Sequence, residues 1–304
     1  NPRHSCVPAF GAGAMRPGAD GVDGASPSHA PLRRLRAVAA HAAPAPAPVH
    51  FVTFEAAASM KGVRVTFVPG MPAIFAECLK NLLDAKGVPY TRVLHPMMGK
   101  GDNQALLYRL TAQRSLPTMF YEDERPRNSW VEQVVLADKL GSGPSLIPTD
   151  PERRVAMFGM LNELMAEDGI VWNKRLLMGK NALTLKYGWS EQAVAEAPRR
   201  LAASMSPFLD RLRRAREEGS RYLLGGSAPT VLDIYFATVT YMLAPPGPEI
   251  LPRTKQNAGL LAAFAANPPE VQALLDGTPY LLEYRDHVLR THCLVPAVLG
   301  GDPL

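Results

Sequence analysis

Cysteine is scarce in this 304-residue chain: Cys6, Cys78 and Cys293 are all there are. Three thiols so scattered cannot build a disulfide framework or a zinc motif. His4, His29, His41, His50, His95, His287 and His292 show no metal-ligand spacing. His287 and His292 are five apart on an expected C-terminal helix, so they do not share a face as an i, i+4 pair would. No metal is expected. Long apolar runs are also lacking. The longest uncharged one, Ile234 to Pro248, has 15 residues, includes threonine and tyrosine, and ends in prolines. A spanning helix needs about 20 apolar residues, so no membrane span is expected. There is no phosphate-cradling glycine loop and no defensible Ser/His/Asp order.

Acidic residues are sparse at one end only. Residues 1–50 hold five Arg, two Asp and neither Lys nor Glu, which accounts for +3 of the +5 net charge. The remaining 254 residues are nearly balanced at +2. A nucleic-acid partner needs basic charge gathered on one surface, so none is expected. What is present is apolar: 47% hydrophobic residues, enough to bury a core and to exclude a wholly disordered or collagen-like chain.

Composition changes near residue 50. Ala, Pro and Gly fill 26 of the first 50 positions, and 42–48 reads Ala-Ala-Pro-Ala-Pro-Ala-Pro. Such a segment offers too little side-chain area to offset its ordering entropy. Residues 1–62 are therefore expected to be an extension ahead of the folded body. Arg33, Arg34 and Arg36 among small residues fit an organelle transit peptide, addressed to plastid or mitochondrion. The alternative is an extension without an address on a cytoplasmic protein.

From Val63 the periodicity is regular. Val63-Arg64-Val65-Thr66-Phe67-Val68 alternates and is β-branched, hence a strand. Pro69-Gly70 breaks it, and Pro72 suits the first position of a helix. That helix carries Ile74, Phe75, Cys78, Leu79, Leu82 and Leu83 on one face, and Lys80, Asn81, Asp84 and Lys86 on the other. Tyr90 to Leu94 is a second strand, completing a βαβ unit. A weaker helix spans Asn103 to Gln113, a proline-led strand covers Ser115 to Tyr121, and Asn128-Ser129 cap a helix holding Val131, Val134, Val135, Ala137 and Leu140. Gly141 to Pro151 is a linker.

The remainder reads as helical. One helix is expected from Pro151 to about Met178 and a long one from about Glu191 to Glu218, whose arginines form a solvated face. Thr230 to Leu243 is apolar all round, hence buried, with Thr230 and Asp233 as a capping box.

This order resembles the cytosolic glutathione transferase superfamily over about residues 63–295. Leu116-Pro117 stands at that family's cis-proline. Asn128-Ser129 stands where an acidic residue or glutamine precedes serine, and Thr230-Val231-Leu232-Asp233 matches its capping box. The Pro-Arg-Asn-Ser-Trp turn and Gly225 look like a poorly characterised transferase-like branch. The resemblance implies an α/β plus all-α fold: a thioredoxin-like glutathione-binding domain at 63–148, then an all-helical domain at 149–304. It implies glutathione as co-substrate, a small hydrophobic second ligand, and a homodimer or docked subunit.

The resemblance also assigns roles. A cis bond at Pro117 would present the Leu116 backbone to the cysteinyl backbone of glutathione. Asn128 and Ser129 would meet the γ-glutamyl end, Ser129 through its hydroxyl, N–H and helix dipole. Lys100 is a candidate for the glycyl carboxylate, although a solvated lysine is the simpler reading. Catalytic members place Tyr, Ser or Cys just after the first strand. Here Val68-Pro69-Gly70-Met71-Pro72-Ala73 offers no hydroxyl or thiol, so the catalytic residue is unknown and only the N–H groups of Ala73 and Ile74 remain. Cys78 lies on the apolar stripe and reads as a core cysteine. Trp130, Trp172 and Trp189 either line the hydrophobic ligand site or are simply packed. The function implied is conjugation or reduction of an apolar electrophile at low activity, or a non-catalytic ligand-binding or scaffold subunit.

Overall fold

The computed structural model describes residues 49–96 and 103–304. Residues 1–48 and the position of Lys100 lie outside it. The chain runs α1 (Phe54–Ser59), β1 (Val63–Phe67), α2 (Ile74–Ala85), β2 (Tyr90–Leu94), α3 (Asn103–Thr111), β3 (Met119–Tyr121) and α4 (Trp130–Leu140). Then follow α5 (Pro151–Met165), α6 (Ile170–Leu176), α7 (Ala182–Lys186), α8 (Glu191–Glu217), α9 (Val231–Val239) with a 3₁₀ turn (Thr240–Met242), α10 (Ala258–Ala265), α11 (Pro269–Asp276) and α12 (Tyr280–His292). The sheet order is β2-β1-β3, with β1 parallel to β2 and antiparallel to β3. Thus a small mixed α/β half precedes an all-helical half, as the motif order implies.

Three local expectations need correction. The extension expected over 1–62 ends earlier, because residues 52–59 are part of the body. Val52 bridges Val93 in parallel, and α1 is capped by the Thr53 hydroxyl. Phe54 and Ala57 are buried with Val93, Leu107 and Phe120. This helix covers the sheet face that alternation would leave in water, so all five β1 residues are buried. Buried Arg64 ties it down, donating from Nε to the Ala57 carbonyl (3.1 Å) and from Nη2 to the Glu122 carbonyl (3.1 Å).

Second, the polar face of α2 is not solvated. Lys80 and Asn81 are 1% exposed. They pack toward the helical half, where the Asn81 amide donates to Thr238 Oγ1 at 2.9 Å. Third, the helix expected over 151–178 breaks after Met165. Asp168 takes φ +62°, and a Cβ on Gly169 would fall 2.4 Å from the Glu163 carbonyl oxygen. Only glycine permits that close approach. It sends α6 off in a new direction.

The capping box at Thr230 and Asp233 is present. Fully buried Asp233 accepts from Thr230 N–H (2.8 Å), Thr230 Oγ1 (2.9 Å), Leu223 N–H (2.8 Å) and Tyr284 Oη (2.9 Å). The carboxylate thus joins the start of α9 to the 223 loop and to α12. Its removal strands several buried donors, each costing roughly 1–3 kcal/mol, so Asp233→Ala should lower stability by about 3 kcal/mol in a denaturant titration. A loss below about 1 kcal/mol would mean these bonds are not formed.

His95 follows β2, its N–H donating to the Phe67 carbonyl at 3.0 Å and its Nδ1 lying 3.3 Å from Thr66 Oγ1. Burial, aided by the Lys186 charge, lowers its pKa from 6.5 to about 4. Between those pH values the unfolded chain binds more protons here than the folded one. Stability should therefore fall as pH drops through that window. Melting temperatures measured across it should decline less steeply for His95→Gln; an identical slope would contradict this role.

Candidate functional site

The turn after β1 decides what chemistry the cleft can perform. Gly70, at φ +74°, donates its N–H to the Leu299 carbonyl (3.1 Å) and accepts from Thr254 Oγ1 at its own carbonyl (2.8 Å). Leu299 and Gly301 lie against this turn, and a Cβ on Gly301 would come within 2.7 Å of the Gly70 Cα. Ala73 N–H, expected to be free, is bonded to the Met71 carbonyl at 2.9 Å. The N–H groups of Ile74, Phe75 and Ala76 have no acceptor among the described residues, and Ala73 supplies no side-chain cap. The one hydroxyl bonded to the turn, that of Thr254, also accepts from Asn257 N–H (3.1 Å), so it is held on both sides. Sequence reasoning missed it because it is 184 residues away in the chain.

Cys78 is not available as a nucleophile. It is fully buried against α9, its Sγ 3.9 Å from the Tyr235 carbonyl oxygen, and burial pushes its thiol well above the ordinary range.

The loop before β3 carries the expected binding residues. Leu116-Pro117 is cis. The Leu116 N–H and C=O make no hydrogen bond among the described residues, whereas the Pro117 carbonyl accepts from Gln133 Nε2 at 2.9 Å. Ser129 occupies the N-cap position of α4, yet its hydroxyl caps nothing and is exposed. That corrects the expectation that it would serve its own helix. Asn128 donates from Nδ2 to the Ser115 carbonyl (3.1 Å) and to Thr118 Oγ1 (3.0 Å), leaving Oδ1 buried and without a partner. Leu116, Pro117, Asn128 and Ser129 thus frame one loop-and-helix corner with an unbonded Leu116 N–H and C=O and an unbonded Ser129 hydroxyl, while Asn128 Oδ1 is sealed from the surface.

The helical half faces this corner. Arg175 on α6 stacks on Phe75 of α2 (4.9 Å) and on Tyr187 (4.5 Å). Trp172 meets Tyr187 edge-on at 4.6 Å. Lys186 on α7 reaches across to Ser115, Nζ to Oγ 3.0 Å. Of the three tryptophans, Trp172 and Trp189 join Tyr187 in one aromatic cluster, and Trp130 packs on the main core. Among the described residues no group of three or more His, Cys, Asp or Glu could hold a metal, and no helix is long and apolar enough to cross a membrane. His287 and His292, expected on different faces, come together where α12 ends, with rings 6.4 Å apart beside Tyr222.

No protein-family model matches the chain, and no curated protein matches it in sequence. Solved structures do. A glutathione S-transferase domain-containing protein of Marinobacter aquaeolei superposes with a TM-score of 0.53 at 16% identity, covering 75% of this chain and 98% of the other. A glutathione S-transferase of Methylobacterium radiotolerans, in complex with glutathione sulfonate, gives 0.50 at 15% identity over 79% and 97%. A glutathione transferase family member of Pseudomonas fluorescens, with two glutathione bound, gives 0.51 at 13% identity over 76% and 89%. Together with the strand order, the cis-proline loop and the capping box, these likenesses show that the chain has the glutathione transferase fold, a thioredoxin-like half followed by the helical half of that superfamily.

Proposed function

We propose that the cleft binds glutathione together with a small hydrophobic ligand, and that it conjugates or reduces that ligand only weakly. The observation that carries the reading is the pairing of a corner with unbonded backbone and hydroxyl groups with a turn that has no side-chain donor. Leu116 leaves both backbone groups free for strand-like pairing with a peptide. Asn128, with Nδ2 bonded to Ser115 and Thr118 and Oδ1 sealed from the surface, positions this loop rather than meeting the ligand. The Ser129 hydroxyl and N–H, at the N-terminus of the 11-residue α4, suit the γ-glutamyl carboxylate. Two of the similar structures contain glutathione or its sulfonate, which supports the same ligand here.

Chemistry is the weak part. A thiolate at the start of α2 would meet only the free N–H groups of Ile74, Phe75 and Ala76 and the helix dipole. Losing one preorganised side-chain donor costs about 10²–10³ in rate at comparable sites. The Gly70 N–H cannot compensate, since Leu299 occupies it. That occupation also favours the second reading, a ligand-binding or scaffold subunit that keeps the fold without turnover.

Calorimetry with glutathione and a chromogenic conjugation assay separate these. Glutathione should bind weakly, and conjugation should lie near background. Ser129→Ala should abolish binding. Met71→Ser should raise conjugation, by about tenfold or more if its hydroxyl reaches the thiolate. Robust conjugation by the unaltered protein that is insensitive to Ser129→Ala would overturn the proposal. Absence of glutathione binding would leave the second reading standing instead.

A further inference from the structure

Where the β1–β3 ladder stops decides where the glutathione corner begins. The register pairs Val65 with Met119, so Thr66 faces Thr118 next. Thr66 N–H donates to the Thr118 carbonyl at 3.0 Å, as a regular antiparallel pair requires. The return bond departs from that pattern. Thr118 N–H donates at 2.7 Å to Thr66 Oγ1, a side-chain oxygen in place of the main-chain acceptor. Pro117 has no N–H with which to continue the ladder. Leu116 then leaves its N–H and C=O unbonded among the described residues.

The Thr66 hydroxyl is itself aimed. Thr66 is fully buried, and its oxygen already accepts from Thr118, so its own proton needs an acceptor. Among the described residues the other partner of Thr66 Oγ1 is His95 Nδ1, at 3.3 Å. A neutral imidazole with its proton on Nε2 offers a lone pair there. Burial favours that neutral form, and so does Lys186, the charged group acting on the ring. The relay thus runs from His95 through Thr66 to Thr118.

Thr118 is the hub of the corner. Its hydroxyl oxygen accepts from Asn128 Nδ2 at 3.0 Å, and Asn128 immediately precedes Ser129. Asn128 also holds the Ser115 carbonyl (3.1 Å) and Gln133 holds the Pro117 carbonyl (2.9 Å), so both neighbours of Leu116 are gripped. Displacing Thr118 therefore moves Leu116 and Ser129 together.

We propose that Thr66 is the positioning residue of this corner: its hydroxyl, aimed by the His95 ring, ends the ladder at Thr118 and so sets the spacing of the Leu116 backbone and the Ser129 hydroxyl. Thr66 and His95 act through Thr118 rather than on the ligand. The proposal deepens the reading of the corner as a glutathione site and rests on that reading for the ligand, whereas the relay stands apart from it.

Two readouts test it on one set of variants: hydrogen exchange of the Thr118 amide without ligand, and glutathione affinity by calorimetry. Thr66→Val keeps the size of the side chain and removes the oxygen. It should speed exchange at Thr118 by about tenfold or more and weaken glutathione by about tenfold, the usual worth of one hydrogen bond. Thr66→Ser should restore both to within about threefold. His95→Phe should weaken glutathione less than Thr66→Val does. The double variant should be no weaker than Thr66→Val alone, because both changes act through one oxygen. Asp233→Ala, a loss of stability away from the corner, should change affinity by less than about twofold. To guard against a valine variant that fails to fold, His95→Phe alone should speed Thr118 exchange by about threefold or more. Unchanged Thr118 exchange in either variant would overturn the relay. Faster exchange with unaltered glutathione affinity, additive losses in the double variant, or an equal loss in Asp233→Ala would overturn the positioning role. An unaltered protein that binds no glutathione would overturn the reading of the corner and the role built on it, while Thr118 exchange decides the relay separately.

Discussion

Everything in this molecule is arranged around a helix that has no face left for water. The helix, α2, packs against β1 and α4 on one side and against α9 on the other, where both Cys78 of its apolar stripe and Asn81 of its polar stripe meet the helical half. At the centre of that seam Lys80 lies 3.5 Å from Glu77, 3.4 Å from Asp84 and 2.8 Å from Asn81 Oδ1. Burial alone would lower the Lys80 pKa, but the two carboxylates outweigh it and hold the ammonium charged. Glu77 goes the other way, its carboxyl raised by burial despite Lys80. A buried ionic seam of this kind adds little net stability, because desolvation offsets the attraction. These charges all lie on α2; what crosses to the helical half is the Asn81 amide, which donates to Thr238 Oγ1 of α9 at 2.9 Å and fixes one placement of the two.

That placement sets the cleft. With α2 fixed, its first turn stands opposite the cis-proline loop, and Phe75 at its start receives Arg175 from α6. The break at Gly169 matters for the same reason, since a helix continuing straight past Met165 would carry Arg175 elsewhere. The same end of α2 is where Leu299 and Gly301 meet Gly70. The corner that suits glutathione and the turn that should activate its thiol are thus treated oppositely, one left open and one tied down.

Much of this was legible in the chain itself. The Thr230–Asp233 box and the α/β-then-helical order rest on local signals of fixed offset, whereas the cis bond at Pro117 follows only from the family resemblance. What was not legible has a common cause in long-range packing. Lys80 and Asn81 look solvated until α9 is laid over them, and residues 52–59 look like the end of a tail until Phe54 is buried on the sheet. Ser129 looked bound to its own helix and is free.

The central claim is that this fold retains a place for glutathione without the means to ionise its thiol. It is tested most directly by titrating protein-bound glutathione and following the ultraviolet absorbance of its thiolate against pH. The account predicts that the bound thiol titrates close to where free glutathione does, displaced at most slightly by the α2 dipole. A thiolate already fully formed at neutral pH on the unaltered protein would contradict it, and would mean that the cleft contains an activating group beyond the turn at Gly70–Ala73.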